Sequence, residues 1–392
     1  MKILITTDWY EPVINGVVTS VLMLRRELEA RGHEVRVVTL SNSIHSYKEG
    51  AVYYMGSVSA NRIYPGARLK MNRTRSLLRE LAAWRPDVIH SQCEFSTFRV
   101  ASALSNRLGV PIVHTYHTVY EDYTHYFVPS VRVGQRVGRY VVTAFSRWIC
   151  GRTACIVAPT GKVEQLLRRY GVRCRIEVIP TGVDLRAFRD GADPERLAAL
   201  RRKWAIPENH TILLYLGRMA KEKNLETLME QIAGANRKDI TLLLVGDGPD
   251  REKALKRAHE LGLSVIYTGM VSHEEAPDYY RLGDLFVTAS TSETQGLTYF
   301  EALAAGVPVL CRRDSCVDGV VEDGINGWQY EDGETFSRCL QTFCGSADLR
   351  RKMQNAALQS AERFSAEAFG EAAERLYQSL QGQPVAMASG EH

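Results

Sequence analysis

Short, mainly apolar runs of three to five residues, separated by helix-patterned stretches, organise this chain. In the first half they fall at Ile3 to Thr6, Val35 to Thr39, Asp87 to His90, Ile112 to Thr115 and Ile156 to Ala158. Strands covered on both faces read this way, so the pattern predicts an α/β fold with a doubly wound parallel sheet. After Pro180 the pattern repeats, with runs at Ile212 to Leu216, Thr241 to Val245 and Asp284 to Thr288. Between the halves, IPTGVDLRAF carries Pro, Gly and Asp turn chemistry and reads as a hinge. A chain of 392 residues exceeds one ordinary core. The expected organisation is therefore two Rossmann-like domains, 1–182 and 183–360, followed by a helix over 361–382.

The second-half strand ends carry the chemistry. In open α/β sheets ligands collect at the carboxyl ends of strands. The first run closes in Gly217, Arg218 and Lys223, the second in GDGPD and the third in ASTSETQG. Glu293 and Glu301 stand eight positions apart across an expected loop-to-helix entry at Gly296 and Leu297. A helix starting there aims unpaired N–H groups and its positive dipole end at an anion. A carboxylate at such a mouth suits the hydroxyls of a sugar attached to a phosphate better than the phosphate itself. A loop Glu followed by a helix-surface Glu is the plainer alternative.

In the first half, Asn15-Gly16 reads as a turn after the first strand, and a Gly there lets backbone approach a phosphate. His117 follows the fourth run, where an imidazole could donate to a sugar hydroxyl or steady an acceptor. His114, inside the run, reads as structural. Asp122 is a candidate carboxylate on the acceptor side.

Charge sharpens the contrast between the halves. Residues 1–190 hold 27 Lys and Arg against 15 Asp and Glu, and the remainder 22 against 30, so +12 faces −8 within a net +4. From Tyr123 to Val163 there is no acid, while Arg132, Arg136, Arg139, Arg147 and Arg152 interleave with Tyr140, Phe145 and Trp148. Such a basic amphipathic helix lies on anionic lipid with its aromatics at the headgroup boundary. A second basic cluster without acids spans Ser57 to Arg79. Nucleic acid would suit the charge, but no nucleic-acid module is present. No apolar run approaches a membrane span, and Met1-Lys2 leads directly into a strand, so the expected location is cytoplasmic, peripheral on the inner face of the cell membrane. The eight Cys form no CxxC pair and read as reduced thiols; three pairs with C-x4-C spacing make a poor metal set. No G-x-G-x-x-G follows the first strand, which argues against a dehydrogenase.

GRMAKEK, VGDGP, GMVSHEEAPDYY and the E-x7-E pair, in this order, resemble the C-terminal domain of family 4 glycosyltransferases of the GT-B fold. The resemblance implies two Rossmann-like domains facing a central crevice, a last helix crossing back to the first domain, and a nucleotide-sugar donor. It implies Arg218 and Lys223 on the donor diphosphate, with Gly16 facing it, Glu301 on the ribose, Glu293 on the sugar hydroxyls, and backbone near Val271 at the base. His117 matches the family's active-site histidine. HTVYEDYTHYF, with Tyr120, Asp122 and Tyr126, and ETQGLTY are similar, more narrowly, to bacterial glucosyltransferases acting on 1,2-diacylglycerol. The implied reaction is retaining transfer of a hexose, glucose from UDP-glucose, to the 3-hydroxyl of diacylglycerol, giving an α-glycolipid. No cofactor is expected beyond the UDP-sugar, and no metal, since no D-x-D occurs. Another lipid acceptor, such as glycosylated diacylglycerol or phosphatidylinositol, a nucleotide-sugar epimerase, and a non-catalytic membrane-surface protein are the alternatives.

Overall fold

The structure is a computed structural model and describes residues 1–13, 15–60, 68–71, 75–117, 132–189 and 193–381, without the side chains of 75, 132–139 and 189. The chain forms two compact units, Met1–Gly182 with Ala366–His392, and Val183–Ser365.

Among the described residues the first unit has ten strands: β1 (Lys2–Thr6), β2 (Glu34–Leu40), β3 (Tyr47–Glu49), β4 (Val52–Met55), β5 (Ser57–Ser59), β6 (Arg68–Lys70), β7 (Val88–Ser91), β8 (Ile112–Thr115), β9 (Cys155–Ala158) and β10 (Arg175–Val178). Eight of them make one sheet in the order β10-β9-β8-β7-β1-β2-β4-β3, parallel except for the β3–β4 pair; β5 and β6 form a separate antiparallel ribbon. The five apolar runs of the first half are the five central strands, and β7, β8 and β9 are buried throughout. The three-residue β3, β5 and β6 escaped the pattern because they carry no apolar run; β4, with the apolar VYYM between β2 and β3 in the sheet, was passed over. Strand order reverses between β1 and β7, so their carboxyl ends splay apart and open a crevice at that point.

Asn15 and Gly16 are not a turn between strand and helix. Asn15 is the N-cap of the Gly16–Ala30 helix, its side-chain oxygen accepting from the Val18 N–H at 2.9 Å, and Gly16 is the first helical residue. The last helix, Ala366–Leu380, packs on this Gly16–Ala30 helix within the first unit. A Cβ on Gly370 would lie 2.6 Å from the Glu27 Cβ, so glycine sets that close approach. His33 reaches Glu374 at 3.0 Å, and the buried Tyr377 hydroxyl meets His90 Nδ1 at 2.5 Å. The boundary falls at Ala366 and not at Ala361, because Ala347–Ala361 is its own helix and ends inside the second unit.

The second unit holds one parallel sheet of six strands: β11 (Thr211–Leu216), β12 (Ile240–Val245), β13 (Val265–Gly269), β14 (Leu285–Thr288), β15 (Val309–Arg312) and β16 (Gly327–Tyr330), in the order β13-β12-β11-β14-β15-β16. Order reverses between β11 and β14. Apolar clusters cover both faces of this sheet, which is why its strands read as unbroken runs.

Candidate active site

The loops after β11, β12 and β13 are stitched backbone to backbone. Gly217 N–H donates to the Val245 carbonyl at 3.0 Å, Met219 N–H to Asp247 at 2.9 Å, and Gly246 N–H to Gly269 at 2.8 Å. At Gly246, with φ +127°, a Cβ would fall 2.1 Å from the Gly217 carbonyl oxygen, so only glycine lets these turns close. Arg218 is exposed at the end of β11, its carbonyl held by the Tyr215 hydroxyl at 2.8 Å. Lys221–Lys223 form one short helical turn ending at Asn224, whose side chain donates to the Ala289 carbonyl at 3.3 Å. This turn ties the β11 loop to the β14 loop.

Across the β11–β14 reversal, the Lys223 ammonium forms an ion pair with the Glu293 carboxylate, both partly buried. Two residues expected to hold different groups of one ligand are therefore already in contact. An ammonium has three N–H donors, so Lys223 retains donors for an anion while holding Glu293. Gly296 sits in the left-handed region at φ +72° as the N-cap of the Leu297–Ala304 helix, and a Cβ there would strike the Tyr299 ring at 2.4 Å. Helix N–H groups at Leu297 and beyond thus face the loop that carries Glu293.

Glu301 lies one turn further in. Its carboxylate accepts from the buried Tyr280 hydroxyl at 2.7 Å, and burial raises its pKa, while that hydrogen bond and the His273 charge oppose the rise. Val271 follows β13, half-buried beside the exposed Met270.

In the first unit, the strand ends flanking the β1–β7 reversal form a different kind of place. Asp8, just past β1, accepts from the Ser96 and Thr97 N–H groups at 3.1 and 2.8 Å and caps the Ser96–Leu108 helix. Burial pushes its carboxyl up to about 6, against those hydrogen bonds. His117 follows β8 and holds the Gln92 amide oxygen at 2.7 Å through Nε2, so that nitrogen carries the proton. Burial lowers its pKa to about 4, which keeps the ring neutral at pH 7. His114 is fully buried with its Nε2 3.6 Å from Glu94 Oε1. Neither ring nitrogen of His114 has a hydrogen-bond partner among the described residues. His90, one strand over, shows what a satisfied core histidine looks like: both its nitrogens are engaged, by Tyr377 and by Thr115 at 2.7 Å.

Gly16 stands exposed at the N-terminus of the Gly16–Ala30 helix. Tyr120, Asp122 and Tyr126 lie outside the described residues, as do the side chains of Arg132, Arg136 and Arg139 on the Arg132–Cys150 helix. Further along that helix Tyr140 and Val141 are exposed, and Trp148 is 37% exposed, with its ring under the Arg152 guanidinium at 4.4 Å and stacked on Phe145. Phe145 in turn stacks on the exposed Phe95. This continuous aromatic face joins two elements of one unit.

Residues 14–187 match the model of Glycosyltransferase Family 4, and residues 198–360 that of Glycosyl transferases group 1. The alpha-monoglucosyldiacylglycerol synthase of Streptococcus pneumoniae is 32% identical over 96% of this chain and 85% of its own length. The chain belongs to glycosyltransferase family 4. The synthase of the same name from Acholeplasma laidlawii is 30% identical to this glycosyltransferase over 97% of both chains. In fold the enzyme is similar to Anabaena HepE in complex with UDP and glucose, with a TM-score of 0.74 at 17% identity over 97% of this chain and 100% of that one. The sucrose-phosphate synthase of Thermosynechococcus elongatus aligns with a TM-score of 0.73 at 21% identity, over 97% and 98%. The glycosyltransferase therefore has the GT-B fold and is a hexosyltransferase.

Sequence reasoning passed over Asp8, Gln92, Glu94 and Tyr280. The first three had a readable signal, since TDWYE and SQCEFS place polar side chains directly after apolar runs. Tyr280 had none, because only the packing of the Ala276–Leu282 helix turns its hydroxyl onto Glu301.

Proposed function

We propose that this hexosyltransferase moves glucose from UDP-glucose to the 3-hydroxyl of 1,2-diacylglycerol, with retention, at the inner surface of the cell membrane. The observation that carries the reading is the likeness, at 32% and 30% identity over almost the whole chain, to two alpha-monoglucosyldiacylglycerol synthases. The second unit takes the donor. Arg218, Lys223 and the start of the Leu297–Ala304 helix meet the diphosphate, Glu293 the sugar hydroxyls, Glu301 the ribose, and backbone at Val271 the base. Charge grows on the diphosphate as the bond from C1 to its oxygen breaks, and fixed positive groups stabilise that charge without rearranging. The acceptor oxygen bonds to C1 on the face the diphosphate leaves, and its proton passes to the departing phosphate oxygen. No divalent metal is required, because the cations at the strand ends serve as the clamp.

The first unit takes the acceptor, with His117 beside it. Among the described residues no helix is long and apolar enough to cross a membrane. The exposed Tyr140, Val141 and Trp148 on a helix that carries four arginines favour docking on an anionic lipid surface. The purified protein, given a panel of UDP- and GDP-sugars with diacylglycerol in anionic liposomes, is expected to form the α-glucolipid from UDP-glucose, with EDTA making little difference. Preference for another donor sugar, a β-linked product, or loss of activity in EDTA restored by Mg²⁺ would refute the corresponding part.

A further inference from the structure

Buried polar groups in folded proteins are almost always hydrogen-bonded, so a group of exceptions in one place calls for a cause. The carboxyl end of β7 has such a group. Gln92 is 1% exposed and its amide nitrogen has no partner among the described residues; Glu94 is 5% exposed, and its Oε1 and both His114 nitrogens make no hydrogen bond among them, the nearest approach being 3.6 Å between Glu94 Oε1 and His114 Nε2. Gln92 and Glu94 directly follow β7, one of the two strands at the β1–β7 reversal where ligands bind in an open α/β sheet, and His114 lies on the adjoining β8. The neighbours are accounted for otherwise: Asp8 is committed to the Ser96 and Thr97 N–H groups, and His117 to the Gln92 oxygen.

We propose that Gln92 and Glu94 form the hydroxyl-recognition pair of the acceptor site. An unpartnered N–H donor and an unpartnered carboxylate oxygen on residues two apart complement a hydroxyl, which both accepts and donates. In the resting complex Glu94 Oε1 accepts from the acceptor hydroxyl and Gln92 Nε2 donates to its oxygen; as the bond to C1 forms, the hydroxyl proton leaves Glu94 and passes to the departing phosphate oxygen. His114 and His117 back the pair, the first against Glu94 and the second fixing the Gln92 amide. The charged neighbour is a second carboxylate, Asp8, and no lysine or arginine is among the described hydrogen-bond or ion-pair partners of these groups. The pair therefore suits a neutral hydroxyl-bearing acceptor and disfavours a phosphorylated one. This inference rests on the assignment of the first unit to the acceptor.

The full-length protein is compared with its Glu94→Gln and Gln92→Met variants for acceptor kcat/KM, UDP affinity and Tm. The acceptors are dispersed diacylglycerol, phosphatidylinositol, which carries both a phosphate and free hydroxyls, and free glycerol. Each variant is expected to lose between about 10-fold and 100-fold in acceptor kcat/KM, the effect of one hydrogen bond involving a charged or fully buried group. UDP affinity stays as in the parent. Tm holds or rises by about 2–4 °C for Glu94→Gln, because an uncompensated buried charge has been removed, and falls for Gln92→Met, which also takes away the acceptor of the His117 N–H. A purely structural Glu94 would give the reverse, a fallen Tm or a protein that does not fold, with kcat/KM of the folded fraction intact, and either result overturns the proposal. So does a parent that takes phosphatidylinositol as readily as diacylglycerol. If the parent glycosylates neither diacylglycerol nor glycerol, the substrate reading fails on its own. The same ratios are then measured on whichever hydroxylated lipid the parent accepts, and the pair stands or falls there.

Discussion

The two points of strand-order reversal have the same topology and opposite finish. In the second unit the β11–β14 reversal is closed: Lys223 is paired with Glu293, glycines let neighbouring turns touch, and Glu301 is held by Tyr280. In the first unit the β1–β7 reversal is left with unpartnered donors and acceptors around Gln92, Glu94 and His114. A site for a charged ligand keeps its own charges balanced by internal pairing until the ligand arrives. A site for a neutral hydroxyl need only leave a donor and an acceptor unspent, at a cost in stability. Under the proposed function, the difference between the units follows from the difference between a diphosphate and an alcohol.

The largest effect that would sharpen the comparison is on the closed reversal. Gly246→Ala forces a Cβ to 2.1 Å from the Gly217 carbonyl at a φ that L side chains rarely adopt. The second unit is expected to lose about 3 kcal/mol or more in denaturant unfolding. A variant as stable as the parent would mean that the strand ends are not locked together.

Next comes Lys223→Ala, expected to lower kcat/KM by about 10²–10³-fold through lost leaving-group stabilisation, with little change in Tm. Glu293→Gln combined with it should be non-additive, since the two side chains are paired. Additive losses would break the idea of a self-balanced site.

Smaller is the membrane contribution of the aromatic face. Trp148→Ser is expected to weaken sedimentation with anionic liposomes by roughly tenfold, the effect of one lost apolar contact, while activity on detergent-dispersed acceptor changes far less. Unaltered sedimentation would make the stacked Phe95, Phe145 and Trp148 ordinary packing.

The smallest effects are in acid. His117 stays neutral in the fold down to about pH 4, whereas in the unfolded chain it takes a proton near 6.5. Its contribution to stability is complete above about pH 6.5 and is lost as pH falls through 4. Replacing it with Gln should narrow the stability gap between variant and parent as the pH is lowered. Asp8 runs the other way, since its raised carboxyl contributes below about pH 3.8 and the contribution is lost as pH rises through 6. Asp8→Asn should therefore gain on the parent with rising pH, by denaturant titration at pH 4 and pH 7.

Much of this was legible in the chain itself. Central strands are covered on both faces, so Ile3 to Thr6 or Thr241 to Val245 stand out as apolar runs whatever surrounds them. The helix start at Gly296 was readable because a left-handed residue before a helix asks for glycine. What stayed hidden depends on contacts distant in sequence. Lys223 and Glu293 are 70 positions apart, and nothing local says that they pair. His90 and His114 look alike in sequence, each near the end of an apolar run, yet Tyr377 satisfies one and nothing described satisfies the other. Gly16 illustrates a local misreading, where Asn-Gly turn chemistry gave way to an N-cap because the apolar periodicity begins at once after it.

The most direct test is UDP affinity by calorimetry for the parent, Lys223→Ala and Glu94→Gln. The cations proposed to bear the diphosphate lie in the second unit, so Lys223→Ala is expected to weaken UDP binding by about 10-fold or more, while Glu94→Gln stays within about twofold of the parent. Equal losses in the two variants, or undiminished binding by Lys223→Ala, would contradict the division of labour between the two reversals.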